Sequence, residues 1–181
     1  MENWQRWGIY KYIITDDTFN DYTEKLILIN EVIQSLPFKP VFTWAYCRLD
    51  LISRNPEQAQ LMKDIGIKEV YYGLESWSDA TSKAIRKGGS RLKKIEGMRI
   101  AKECWGDEIC VTAGIVIGLP NDTVQSMEES VEWYINEGHK YLDSLKYVSL
   151  MIRSYNETLD YQFLSDIEKN PDRWGYKFTD P

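Results

Sequence analysis

Histidine occurs once and cysteine three times in this chain of 181 residues, so the side chains that most often ligate transition metals or serve as base-activated nucleophiles are scarce. His139 follows Gly138 at the close of a helical pattern, where an imidazole sits favourably on the negative end of the helix dipole. Histidine-based acid–base or nucleophilic catalysis is therefore not what the sequence points to. Cys47, Cys104 and Cys110 are odd in number and widely spaced, with no C-x2-C or C-x3-C pair, so their spacing carries neither a zinc nor an iron–sulfur motif. They read as buried, apolar thiols of a reducing compartment. Long apolar runs are missing as well, and the start, MENWQRWGIY, lacks a basic region followed by an apolar core, so no membrane span or secretory leader is expected. Basic residues are outnumbered, 22 Lys and Arg against 28 Asp and Glu, giving a formal net charge of -6. Non-specific nucleic-acid binding needs clustered Lys and Arg, so no nucleic-acid partner is evident. The expectation is a soluble, cytoplasmic protein.

What is present is a core: 43% of residues are hydrophobic and 13% aromatic. With no low-complexity linker, residues 1–181 read as a single domain, long enough to bury a sizeable interior. The organising stretch is Cys110 to Pro120, CVTAGIVIGLP. Its β-favouring residues show no polar alternation, which predicts a strand buried on both faces. Its glycines mark places where another backbone or a flat ligand comes close, and Asn121-Asp122-Thr123 supplies capping residues for the next helix.

Around it the chain alternates strand and helix. Strands are predicted near residues 8–15, 41–47, 68–73, 109–117 and 142–150. Helices are predicted at about Tyr22 to Ser35, where Asp21 and Glu24 resemble a capping box, and from Asn55-Pro56 to Gly66. Two more should start after Ser78 and Ser90, another should run over Val124 to Glu137 and close at Gly138, and the tail from Thr158 suggests one more. Alternation of this kind implies parallel pairing with right-handed crossovers. The fold class is α/β, a partial (β/α) TIM-like barrel of five parallel strands with helices on its outer face.

In such a barrel the C-terminal strand ends open onto one mouth. Asp16 and Asp17 follow the first strand, Arg48 and Asp50 the second, Glu75 and Ser76 the third, and Asn121 and Asp122 the fourth. Asn121, Asp122 and Asp21 read first as helix caps, whereas Asp17, Arg48 and Glu75 cap no obvious helix and are expected in a site.

YIITDDTFN, CRLDLI, GIKEVYYGLES with AIRKGG, and AGIVIGLPNDT, in this order and at these intervals, resemble the radical S-adenosylmethionine (SAM) superfamily. The likeness spans about Gly8 to Leu150 and is strongest to the branch that often carries a cobalamin-binding domain. It implies that the turn from Asp16 to Phe19, with Asp16, Asp17 and Thr18 as its polar residues, takes the place of the motif receiving the methionine amino group. By the same resemblance Glu75 and Ser76 hold polar ends of SAM, Lys87 faces its carboxylate and Arg48 lies near the ribose. Gly114, Val116 and Gly118 would line the adenine, with Asn121 at the end of that strand. A zwitterion needs an anion for its ammonium and a cation for its carboxylate, and Asp17, Glu75 and Lys87 offer both.

The resemblance also implies a 4Fe-4S cluster held by three cysteines spaced C-x3-C-x2-C after the first barrel strand. That triplet is absent, so the chain reads as the middle to C-terminal part of a radical SAM enzyme. The cluster would be carried by a missing N-terminal segment or a partner chain, the substrate is unspecified, and cobalamin is possible in a longer protein. By itself the chain is expected to be inactive. Two rival readings stand beside this one: a divalent-metal barrel enzyme with Asp16, Asp17, Asp50 and Glu75 as oxygen ligands, and a noncatalytic remnant serving as an interaction module.

Overall fold

The structure, a computed structural model, describes residues 2–87, 89–150 and 170. In chain order it contains α1 (Glu2–Trp7), β1 (Lys11–Ile13), α2 (Thr23–Gln34), β2 (Val41–Cys47), α3 (Leu49–Arg54), α4 (Glu57–Ile65) and β3 (Glu69–Glu75). These are followed by α5 (Asp79–Ala84), α6 (Arg91–Trp105), β4 (Cys110–Ile117), α7 (Val124–Asn136) and β5 (Ser144–Ser149). The strands form one sheet in the order β1-β2-β3-β4-β5, every neighbouring pair parallel, as the alternating pattern predicts. This is a partial barrel, in which each C-terminal strand end faces the same way.

Two-residue periodicity divides the sheet between a helix-packed face and an opposite face. Ala45 and Cys47 of β2, Val70, Tyr72 and Leu74 of β3, and Val111, Ala113 and Ile115 of β4 join the core with Leu26, Met62, Met98 and Trp105 of the helices. Trp105 is fully buried, and its indole N–H donates to Ala59 O at 2.8 Å, so the largest side chain of the core leaves no polar atom unpaired. Trp44 and Tyr46 of β2 and Tyr71 of β3 have the other parity and lie on the opposite face.

Local signals fare unevenly. Ser78 and Ser90 cap α5 and α6 by accepting from Thr81 N and Lys93 N, and Gly66 closes α4 in the left-handed conformation. The capping box expected at Asp21 does not form: Tyr22 holds the N-cap position, while Asp21 accepts its neighbour's N–H and pairs with Lys25. At α4, Pro56 is the cap and Asn55 contributes only its carbonyl, accepting from Gln58 N at 3.0 Å. Helix α7 stops at Asn136, and Gly138 opens a separate 3-10 turn.

The first strand is shorter than the expected 8–15, because Gly8 turns back at φ 65 to donate to Trp4 O at 2.9 Å and so closes α1. Helices α1 and α3, six residues each, escape sequence reading because neither is long enough to show periodicity. The helix expected from Thr158 lies outside the described residues, as does Gly88. Among the described residues no helix is long and apolar enough to cross a membrane.

Candidate functional site

At the C-terminal ends of β1, β2 and β3 a cleft of about 150 Å³ is lined by Asp17, Thr18, Tyr46, Arg48, Asp50, Tyr71, Glu75, Lys87 and Lys94, among others. The turn after β1 delivers Asp17 and Thr18. Its shape is set by Asp16, whose Oδ1 accepts Thr18 N–H at 2.9 Å, and by Asn20, which is fully buried. Asn20 accepts from Arg48 N at 2.8 Å and donates to Arg48 O and Gln58 Oε1, so one amide side chain locks the first turn against the end of β2.

Strand β3 ends on Glu75, a non-glycine residue at φ 60. Such a conformation costs on the order of 1–3 kcal/mol and persists only where the surroundings impose it. It brings Glu75 Oε1 to 2.9 Å from Lys87 Nζ, with the carboxylate side chain 21% exposed and the lysine 52%. An anion and a cation thus stand side by side at the mouth, with Asp17 in the same cleft.

Five expected residues therefore converge: Asp17, Thr18, Arg48, Glu75 and Lys87. Arg48, however, stands at the N-cap position of α3, and its guanidinium is engaged bidentately by buried Asp50 at 3.0 and 2.8 Å. Asp16 faces Lys25 at 3.0 Å, and the Thr18 N–H bond together with Lys25 holds its carboxyl below the usual carboxylate range. Ser76 is buried and spends its hydroxyl on Asp122 Oδ1 and Ser78 N. Asp122, expected as a cap, is a brace: it also accepts from Thr81 Oγ1 and from Leu119 N, while Thr123 makes the capping box with Ser126.

On β4, Gly114 lies against the Tyr71 phenol, Val116 is half-buried, and Gly118 and Asn121 take positive φ where the strand ends. None of these four lines the cleft. Tyr71 stacks on Trp44 at 5.8 Å and meets Tyr46 edge-on at 5.5 Å, an aromatic wall beside the ion pair. Burial, reinforced by the Glu75 carboxylate and Tyr46, pushes the Tyr71 phenol up, so it stays a neutral donor.

Lys94 and Asn20 are the important groups that sequence reading missed. Lys94 carried a signal: on α6 it begins the buried stripe continued by Gly97, Met98, Ala101 and Trp105, an odd place for a lysine. Asn20 had none beyond its place in a turn.

The carboxylates of the divalent-metal alternative do not assemble. Asp16 pairs with Lys25, Asp50 with Arg48 and Glu75 with Lys87, and among the described residues no group of three His, Cys, Asp or Glu could hold a metal ion. The cysteines do not suit a cluster either. Of the three thiols expected to be buried only Cys47, at the end of β2, is; Cys104 is half-buried on α6, and Cys110 is exposed where β4 begins at the edge of the core.

Comparison with known proteins bears on the fold and the family. A Methanocaldococcus jannaschii protein bearing a provisional methylthiotransferase name is 29% identical over 114 residues, which are 63% of this chain and 23% of that protein. The radical SAM methyltransferase TsrM from Kitasatospora setae, solved with cobalamin and a 4Fe-4S cluster bound, superposes with a TM-score of 0.65 at 18% identity over 82% of this chain and 29% of its own. The cobalamin-dependent SAM radical enzyme OxsB superposes at 0.61 with 17% identity over 96% of this chain and 24% of its own. These two likenesses show the fold, and the chain spans about a quarter of the length of each relative. Residues 1–134 match the radical SAM superfamily as a whole. The chain, with its parallel partial barrel, belongs to the radical SAM superfamily.

Proposed function

We propose that the cleft at the C-terminal mouth receives the methionine end of SAM, and that the chain contributes this half-site to radical-based modification of a substrate. The observation that carries the reading is the Glu75–Lys87 pair, 2.9 Å apart and beside Asp17 in one cleft. A zwitterionic amino acid exchanges with such a pair: its ammonium takes the place of Lys87 at the carboxylates of Glu75 and Asp17, and its carboxylate takes the place of Glu75 at Lys87. Tyr46 and Tyr71 present apolar ring surface next to the charges, as a partly flat ligand requires.

Bound beside a reducing iron–sulfur cluster, SAM supplies the radical chemistry of the superfamily; the residues of this chain supply recognition and orientation. The cluster itself does not fit the three cysteines, which stand on separate elements, so the reading assigns its ligands to another segment or a partner chain. Dependence on cobalamin, which TsrM was solved with and OxsB requires, is proposed from likeness of fold, with the cofactor held in a separate domain.

The test is calorimetric titration of SAM into the chain. Without an iron to chelate the amino and carboxylate groups, saturable binding is expected near about a millimolar dissociation constant. Glu75→Ala and Lys87→Ala should each abolish it, and Cys47→Ala should leave it in place. No saturable binding, or binding indifferent to both charge removals, would overturn the assignment.

A further inference from the structure

We infer that Lys94 is a positioning residue: from α6 it sets the backbone of Glu75 and so aims the anionic half of the cleft. The inference rests on the SAM reading for its functional arm and on geometry for the rest.

Only 5% of Lys94 is exposed. Its ammonium donates to Leu74 O at 2.9 Å, Ser76 O at 3.0 Å and Ser82 Oγ at 3.0 Å, which uses all three of its donors. Two of those acceptors are the carbonyls on either side of Glu75. The peptide that enters Glu75 and the one that leaves Ser76 are therefore gathered to one point, and between them Ser76 N–H closes back onto Leu74 O at 2.8 Å while Glu75 takes φ 60.

An apolar residue on the buried stripe of α6 would avoid the desolvation of an ammonium, and the acceptors here are neutral oxygens rather than carboxylates. Burial pushes the ammonium down, and Asp79, Glu75 and Asp50 oppose that from a distance. What the charge provides in return is a tripod that no apolar side chain can make. It joins the end of β3 to Ser82 on α5 and holds the turn in a conformation that Glu75 would otherwise leave. Released from it, Glu75 relaxes toward negative φ and its carboxylate swings off Lys87.

The experiment is a pair of double-mutant cycles in the full chain. In the first, SAM affinity is measured for Lys94→Met alone and in a Glu75→Gln background. A loss of tenfold or more is expected in the first case. Glu75→Gln keeps an amide oxygen for the ammonium, so it weakens binding without abolishing it, and there the further loss should be less than twofold, because Lys94 acts through the Glu75 carboxylate. In the second cycle, stability is measured by urea unfolding for Lys94→Met with Glu or with Gly at position 75. Glycine adopts φ 60 without strain, so Lys94→Met releases strain only where Glu stands at position 75 and should shift the midpoint distinctly more in Glu75→Gly.

The second cycle needs no ligand, so it decides the positioning role even if the chain binds no SAM, an outcome that would count against the proposed function alone. Should Lys94→Met fail to fold, Ser82→Ala removes one acceptor of the tripod and should give smaller shifts with the same non-additivity. Equal affinity losses in both backgrounds, or midpoint shifts that simply add, would reduce Lys94 to a packing residue and overturn the inference.

Discussion

The phenol of Tyr71 on β3 occupies the space in which a side chain on Gly114 of β4 would stand. The glycine in the middle of the fourth strand is thus explained by a neighbouring side chain of the protein itself. Gly114→Ala should displace the ring and destabilise the chain by about 1–3 kcal/mol, the usual cost of overpacking. Because the hydroxyl is the nearest atom, Tyr71→Phe should restore part of the loss. Urea unfolding of the two single variants and the double variant measures this, and strict additivity would contradict the packing relationship.

Glu75→Gly separates stability from recognition. It relieves the positive φ and gives up an ion pair whose lysine is half exposed, worth at most about 1 kcal/mol. Stability should hold or rise by about 1 kcal/mol while SAM binding disappears. A large loss of stability in thermal unfolding would show that the Glu75–Lys87 pair holds the fold rather than serves the site.

Asp16 sets a small acid dependence. Its carboxyl is held low by the Thr18 N–H and by Lys25, so its contribution is present above the unfolded pKa, near 3.8, and is lost as pH falls through the folded value. The group is largely exposed, so the discounted effect is a few tenths of a kcal/mol. Asp16→Asn should be slightly less stable than the parent at pH 7, and the difference should vanish in strong acid. A difference that persists under strong acid would mean that the charge is not its source.

Thiol chemistry should follow burial. Cys47 is enclosed, and desolvation pushes its thiol far up, so it should resist alkylation in the folded chain. Exposed Cys110 should react faster than Cys47 but more slowly than a free thiol, because partial burial and the nearby Asp143 and Glu69 push its thiol up as well. Anaerobic reconstitution with iron and sulfide should yield no stoichiometric 4Fe-4S cluster, since three thiolates must converge to hold one. A full four-iron spectrum from this chain alone would show that its cysteines do come together.

Among the described residues strand β1 pairs on one side only, with β2, and Ile13 is 67% exposed on it. Beside it lies an apolar groove of about 430 Å³ lined by Tyr12, Leu28, Ile29, Val32 and Phe42. An open apolar edge invites pairing with another chain, so sedimentation should find association at micromolar concentrations. Ile13→Lys should shift the population toward monomer, and a parent chain that sediments as a clean monomer would count against it.

Much of the architecture was decided by the order of residues alone. The uninterrupted apolar run of β4, the two-residue alternation that packs Ala45, Val70 and Ala113 on one face, and the serine and glycine signals at Ser78, Ser90 and Gly66 are local, and each acts through backbone geometry or burial within a few residues. With parallel alternation they were enough to bring Asp17, Arg48 and Glu75 to one mouth, whereas Lys87 was expected there only from the family resemblance. Partnerships across the chain were decided only by tertiary packing. Arg48 is committed to Asp50, Ser76 to Asp122, Asp16 to Lys25, and Gly114 to Tyr71, because each meets its partner when strands and helices close on one another. Lys94 shows the division most clearly. Its place on the buried stripe of α6 was written in the sequence, but the three oxygens that make that place tolerable come from β3 and α5, and only the folded chain brings them within 3.0 Å of its ammonium.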